Sequence, residues 1–196
     1  MSDPVPVVTT LLLPGLSNSG PEHWQSSWER SDPTCRRVQQ DDWETPRCGD
    51  WVATLDATIS ALIGSAVLVA HSSSCALVAH WANVAAAAHL ARVQGALLVA
   101  PSDPESPNYP AGPAGFAPVP QNQLPFRSIV VASTNDEYVT LDQARDYADA
   151  WGSTLVNLGS AGHINSASGL GSWPAGYALL EQLRAAPNAA RPDLPS

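Results

Sequence analysis

Five short apolar, largely β-branched runs recur along the chain, at 7–13, 67–70, 95–100, 128–132 and 154–158, and stretches with helical spacing lie among them. A continuous apolar run has no polar face to turn toward water, so such strands belong inside a parallel sheet covered on both sides. A sixth candidate, 35–39, is short and carries two arginines. The helical stretches fit the same scheme. Residues 50–63 put Val52, Leu55, Ile59 and Leu62 on one face, with Gly64 as a stop signal. Residues 75–90 are apolar nearly all round, as in a helix packed against a sheet. Thr140 and Gln143 form a capping-box pair ahead of a helix that aligns Ala144, Ala148 and Trp151 and stops at Gly152. A last helix begins near Pro174 and runs to about Arg184. The alternation predicts an α/β fold: a three-layer α/β/α sandwich around a mostly parallel central sheet.

A length of 196 residues suits a single domain over 1–186, with 187–196 as a flexible tail. The segment 101–125 breaks the rhythm with eight prolines. It is too long for an ordinary connection and is read as a proline-stiffened surface loop rather than a lid.

Composition removes whole classes of chemistry. All nine basic residues are arginine, so Schiff-base catalysis and a lysine-ended phosphate loop are excluded. A formal charge of -9 disfavours nucleic acid and anionic membranes as partners and suits a neutral small molecule. Cys35, Cys48 and Cys75 are odd in number and irregularly spaced, so neither a disulfide framework nor a metal site is expected, and no cofactor is implied. With no basic segment leading into an apolar run and no membrane-length stretch, the expectation is a cytoplasmic protein.

Ligands of open α/β sheets bind beyond the carboxyl ends of the strands. After 67–70 come His71, Ser72, Ser73 and Ser74, and then a helix. A strand, a sharp serine turn and a helix is the setting in which a strained elbow lifts a nucleophilic hydroxyl above the sheet. Centring the elbow on Ser72 puts small residues, Ala70 and Ser74, at the two crowded flanks, whereas centring on Ser73 would put His71 there. The plain alternative is that the serines only cap the helix. A serine needs a base. Of five histidines, His80 and His89 fall within a helix, His71 is poorly aimed at its neighbour's hydroxyl, and His23 is expected in a helix near the first loop. His163, in a small-residue loop after the last strand, is the candidate base. Asp136, just past 128–132, is the candidate acceptor that orients it, with Asp103 the main competitor. The backbone amides of Ser73 and Leu16 are the expected oxyanion donors. Of the seven tryptophans, Trp24, Trp28, Trp81 and Trp151 read as helix packing, while Trp43, Trp51 and Trp173 are pocket candidates.

The chain order Ser72, Asp136, His163 is that of the α/β-hydrolases. The segments 13–25, 67–72, 135–138 and 162–165 resemble the small serine hydrolases related to retinoblastoma-binding protein nine and the bacterial YdeN proteins. That resemblance implies a compact hydrolase core without a large cap domain and the same serine, aspartate and histidine roles. Bacterial relatives often read His-Ser-Leu-Gly-Cys at the elbow, so Ser73 and Ser74 are departures. The expected activity is hydrolysis of small esters, or of short-peptide or aminoacyl amides, through an acyl-enzyme. The rival expectations are an interaction module on a hydrolase scaffold and acyl transfer to an acceptor other than water.

Overall fold

The computed structural model describes residues 8–185, so position 7 of the first expected strand and the expected tail at 187–196 lie outside the described residues. In chain order the elements are β1 (Val8–Leu13), α1 (Trp24–Ser31), β2 (Cys35–Arg37), α2 (Cys48–Ser60), β3 (Ser65–His71) and α3 (Ser73–Val84). They are followed by α4 (Ala87–Leu90), β4 (Val93–Val99), β5 (Arg127–Ala132), α5 (Leu141–Trp151), β6 (Thr154–Asn157) and α6 (Pro174–Ala185). The strands make one sheet in the order β2-β1-β3-β4-β5-β6, and every neighbouring pair is parallel.

Alternation along each strand divides the core in two. From β3, Leu68 and Ala70 face α2, α3 and α5, where Trp51, Leu55, Ile59, Trp81 and Trp151 are buried. Val67 and Val69 face α1 and α6, packing with Trp24, Trp28, Leu180 and Leu183. Both faces of the sheet are therefore dry over β1, β3, β4 and β5, which is why those strands read as unbroken apolar runs.

Local signals set both ends of α5. Thr140 Oγ1 accepts the Gln143 N–H at 3.1 Å, and Gly152 closes α5 in the left-handed region at φ 65°. The helix α2 starts at Cys48 rather than residue 50, because the Arg47 carbonyl already accepts the N–H groups of Asp50 and Trp51. It ends at Ser60 as the last turn tightens, the Leu62 N–H reaching back to the Ile59 carbonyl.

The expected single helix over 75–90 is instead two, starting at Ser73 and broken at Ala85 and Ala86, both extended (ψ 147° and 144°). Alanine favours helix, so propensity is overridden here. Trp81 is the last buried residue of α3, and Val84 is already 72% exposed. The Asp56 carboxylate accepts from Trp81 Nε1 and His89 Nδ1 at 3.0 and 2.8 Å, fastening the turned-back α4 to α2 and α3.

The segment 101–126 contains no helix and, apart from a single bridge between Arg47 and Ala114, no strand. It is more than surface loop, since Phe116, Leu124 and Phe126 are buried against the α2, α3 and α5 side. His80 Nε2 donates to the Phe116 carbonyl at 2.9 Å and Trp151 Nε1 to that of Pro120 at 2.8 Å.

Strand β1 lies between β2 and β3, so the chain leaves β1 toward one sheet edge and leaves β3 toward the other. Diverging connections open a crevice at the carboxyl ends of these two strands. Its floor is closed by the buried Gln25, whose Nε2 donates to the Leu13 and Val69 carbonyls at 3.3 and 3.0 Å.

Candidate active site

Ser72 sits between the last residue of β3 and the first of α3 with φ 59° and ψ -127°. A non-glycine residue rarely adopts such angles, and holding one there costs about 1–3 kcal/mol. The surroundings keep it there. The Ser72 N–H donates to the Val99 carbonyl at 3.0 Å, and the loop after β1 presses on the turn so closely that a Cβ on Gly15 would lie 2.6 Å from Ser72 Cβ. At the flank where relatives often carry glycine, the Ser74 hydroxyl is accommodated by donating to the Pro14 carbonyl at 2.6 Å. Ser72 occupies the N-cap position of α3, yet its side chain makes no capping hydrogen bond.

His163 follows β6 in a loop tied to the one after β5. The Asn135 side-chain oxygen accepts the Gly162 N–H at 2.8 Å, and Ser133 Oγ accepts the Ala161 N–H at 2.9 Å. These ties bring His163 Nδ1 to 2.9 and 2.8 Å from the two carboxylate oxygens of Asp136, whose side chain is fully buried. The Tyr138 N–H also donates to Asp136. A carboxylate only accepts, so the His163 proton sits on Nδ1. Nε2 then accepts from the Ser72 hydroxyl at 2.9 Å. Ser72, His163 and Asp136, arriving from three separate loops, form one continuous line of hydrogen bonds. Such a line can carry a proton from hydroxyl to imidazole while the carboxylate stabilises the cation.

The cleft above Ser72 encloses about 410 Å³. Leu16 and Ser73, the expected oxyanion donors, both line it. Hydroxyls, imidazoles and the amides of Asn18 and Asn165 also face the cleft, and among the described residues no carboxylate or guanidinium does. Asp103 is not part of the line, since it accepts from the Glu105 N–H and the Tyr147 hydroxyl. None of the tryptophans lines this cleft; Trp51 and Trp173 are buried in the core.

Two further histidines back the site. His71 Nε2–H donates to the His163 carbonyl at 2.9 Å. Burial, followed by the neighbouring His163 and His23, holds the His71 ring well below the usual imidazole range, so it is neutral. His23 is not within a helix but caps α1, its Nδ1 accepting the Gln25 N–H at 3.2 Å. Burial and then the charge of Arg37 lower its pKa to about 4.

Ser102 and Tyr109 are site residues that the sequence reading missed. Ser102 lies 2.8 Å from Ser72 by its hydroxyl, and the Tyr109 hydroxyl lies 2.9 Å from that of Ser73. A signal existed for Ser102, which follows a strand end as Ser72 does. None existed for Tyr109, which the proline-rich segment brings in from a distance.

The sequence pattern of a family described as serine hydrolase matches residues 10–182. Among solved structures, one described as a YdeN-like hydrolase from Pectobacterium atrosepticum is 31% identical, with a TM-score of 0.78 over 90% of each chain. The ydeN gene product of B. subtilis shares the fold at 19% identity and a TM-score of 0.70, over 91% of this chain and 99% of that one. The esterase domain of a Rhodothermus marinus protein does so at 15% and 0.65, over 91% and 88%. No curated protein matches the chain. With the family pattern spanning β1 to α6 and a YdeN-like structure superposing on nine-tenths of its length, the chain belongs to the serine hydrolase family.

Proposed function

We propose that the chain hydrolyses small, uncharged carboxylic esters through a Ser72–His163–Asp136 triad and an acyl-enzyme. The observation that carries this reading is the unbroken hydrogen-bond line from Ser72 Oγ through His163 to the buried Asp136, with Ser72 held at φ 59°. Ser72 loses its proton to His163 Nε2 as Oγ attacks the ester carbonyl. The oxyanion is held by the N–H groups of Leu16 and Ser73, each donor worth about 3 kcal/mol in such sites. Collapse breaks the bond to the alcohol, which leaves with the His163 proton. Water, deprotonated by the same imidazole, then attacks the acyl carbon and frees the acid and Ser72. The lack of formal charge around a cleft of about 410 Å³ supports a small neutral substrate.

A fluorophosphonate probe with peptide mapping tests the assignment. Adduct on Ser72 in the wild type, none in Ser72→Ala and a drop in His163→Ala is the expected result; folded protein unlabelled at Ser72 overturns it. A panel of p-nitrophenyl esters against aminoacyl amides then tests ester preference.

A further inference from the structure

We propose that Ser102 is a further catalytic residue, donating a hydrogen bond to Ser72 Oγ that strengthens whenever that oxygen gains negative charge. The inference rests on the reading of Ser72 as nucleophile and goes beyond the triad. Donor bookkeeping fixes the direction of the bond. His163 spends its Nδ1 proton on Asp136, so the single proton of Ser72 goes to Nε2. At 2.8 Å, the hydrogen bond between the two serine hydroxyls must then be donated by Ser102.

The backbone is bent to put Ser102 there. β4 ends at Val99, and the next residue, the fully buried Ala100, is turned to φ 48°, a conformation that an L residue rarely adopts. Pro101 follows, with its own φ restricted, and Ser102 is delivered beside Ser72 with only 4% of its surface exposed. The strain at Ala100 and that at Ser72 thus bring the two hydroxyls together from adjacent parallel strands.

A donor to a neutral hydroxyl is a weak aid, whereas a donor to an oxygen gaining charge is roughly twice as strong. That difference makes the contact catalytic rather than merely binding. As the Ser72 proton moves to His163, Oγ gains charge and the hydrogen bond from Ser102 strengthens. Once the Oγ–acyl bond has formed, the ester oxygen is a poor acceptor and the Ser102 bond relaxes. In deacylation Oγ leaves with the electron pair of that bond, is again supported by Ser102, and takes its proton from His163. Both half-reactions therefore depend on the same hydroxyl.

The test compares wild type with Ser102→Ala and Ser102→Cys, the latter keeping the branching of the side chain with a somewhat larger atom while replacing a strong donor with a weak one. The readouts are the second-order rate of fluorophosphonate labelling at Ser72, the burst and steady-state phases with p-nitrophenyl acetate, and the melting temperature. Labelling, burst and steady-state rates about tenfold lower in both variants, with melting temperatures near wild type, are expected. A folded variant within threefold of wild type in these rates overturns the proposal, and so does a loss confined to melting temperature. Wild-type protein that fails to label at Ser72 refutes the nucleophile assignment instead, so the two failures are distinguishable.

Discussion

Acid should destabilise this protein through His23 as the pH falls from 6.5 toward 4. The ring is 4% exposed and accepts the Gln25 N–H on Nδ1, so protonation would both place a charge in the core beside Arg37 and remove the cap of α1. Its pKa falls from 6.5 to about 4 on folding. Below pH 6.5 the unfolded chain therefore takes up the proton more readily than the folded one. The associated stability is present in full above that pH and is lost as pH falls toward 4. Spread over the whole interval it amounts to about 3.4 kcal/mol, of which about 2.5 kcal/mol disappears between pH 7.5 and 4.5. His71 titrates in the same direction and adds to the loss. Urea unfolding at the two pH values, in wild type and His23→Asn, isolates the His23 share, because asparagine can still cap a helix and does not titrate. The variant should lose about 2.5 kcal/mol less than wild type on acidification. Parallel losses in the two proteins would refute the reasoning.

Three further outcomes follow from the site and its supports. Gly15→Ala forces a Cβ to within 2.6 Å of Ser72 Cβ, so ester hydrolysis should fall at least a hundredfold while urea unfolding shows a loss of about 1–3 kcal/mol. Ser72→Gly should be more stable than Ser72→Ala by about 1 kcal/mol in thermal melts, because only glycine relaxes a φ of 59°. Arg184 binds Asp32, Thr10, Thr34 and Glu181 through its guanidinium, fastening α6 to β1 and the start of β2. Arg184→Met leaves the Asp32 carboxylate without its cation and should cost about 3 kcal/mol by chemical denaturation.

What could be read beforehand divides along physical lines. The strands were legible because both sheet faces are buried, which writes continuous apolar runs such as 67–70 into the chain. The elbow was legible from its setting, a serine turn between an apolar strand and a helix, and the small residues at 70 and 74 chose Ser72 among three serines. Asp136 and His163 could be chosen because each follows a strand end, their strands are consecutive in the chain, and small residues let the imidazole reach across. The break at Ala85 could not be foreseen, because four consecutive alanines favour helix and nothing in them marks Trp81 as the last buried residue of α3. Tyr109 and the inward anchors Phe116 and Leu124 were equally opaque: an irregular segment carries no periodicity from which to infer a side chain's direction. His23 shows the same limit, its role depending on where α1 begins to within one residue.

The sheet tapers. β3 and β4 have seven residues each and β1 and β5 six, while the edge strands β2 and β6 have three and four. An edge strand is the template on which a second chain can add itself, and the number of rungs it offers sets how firmly an intruder is held. Here the outer rows offer only three or four, and on β2 the exposed Arg36 adds a charge to the row. The long, apolar strands that support the crevice are paired on both sides. The same arrangement that puts the cleft at the centre of the sheet therefore leaves the molecule poorly suited to strand-by-strand polymerisation, even though its interior is rich in aggregation-prone sequence.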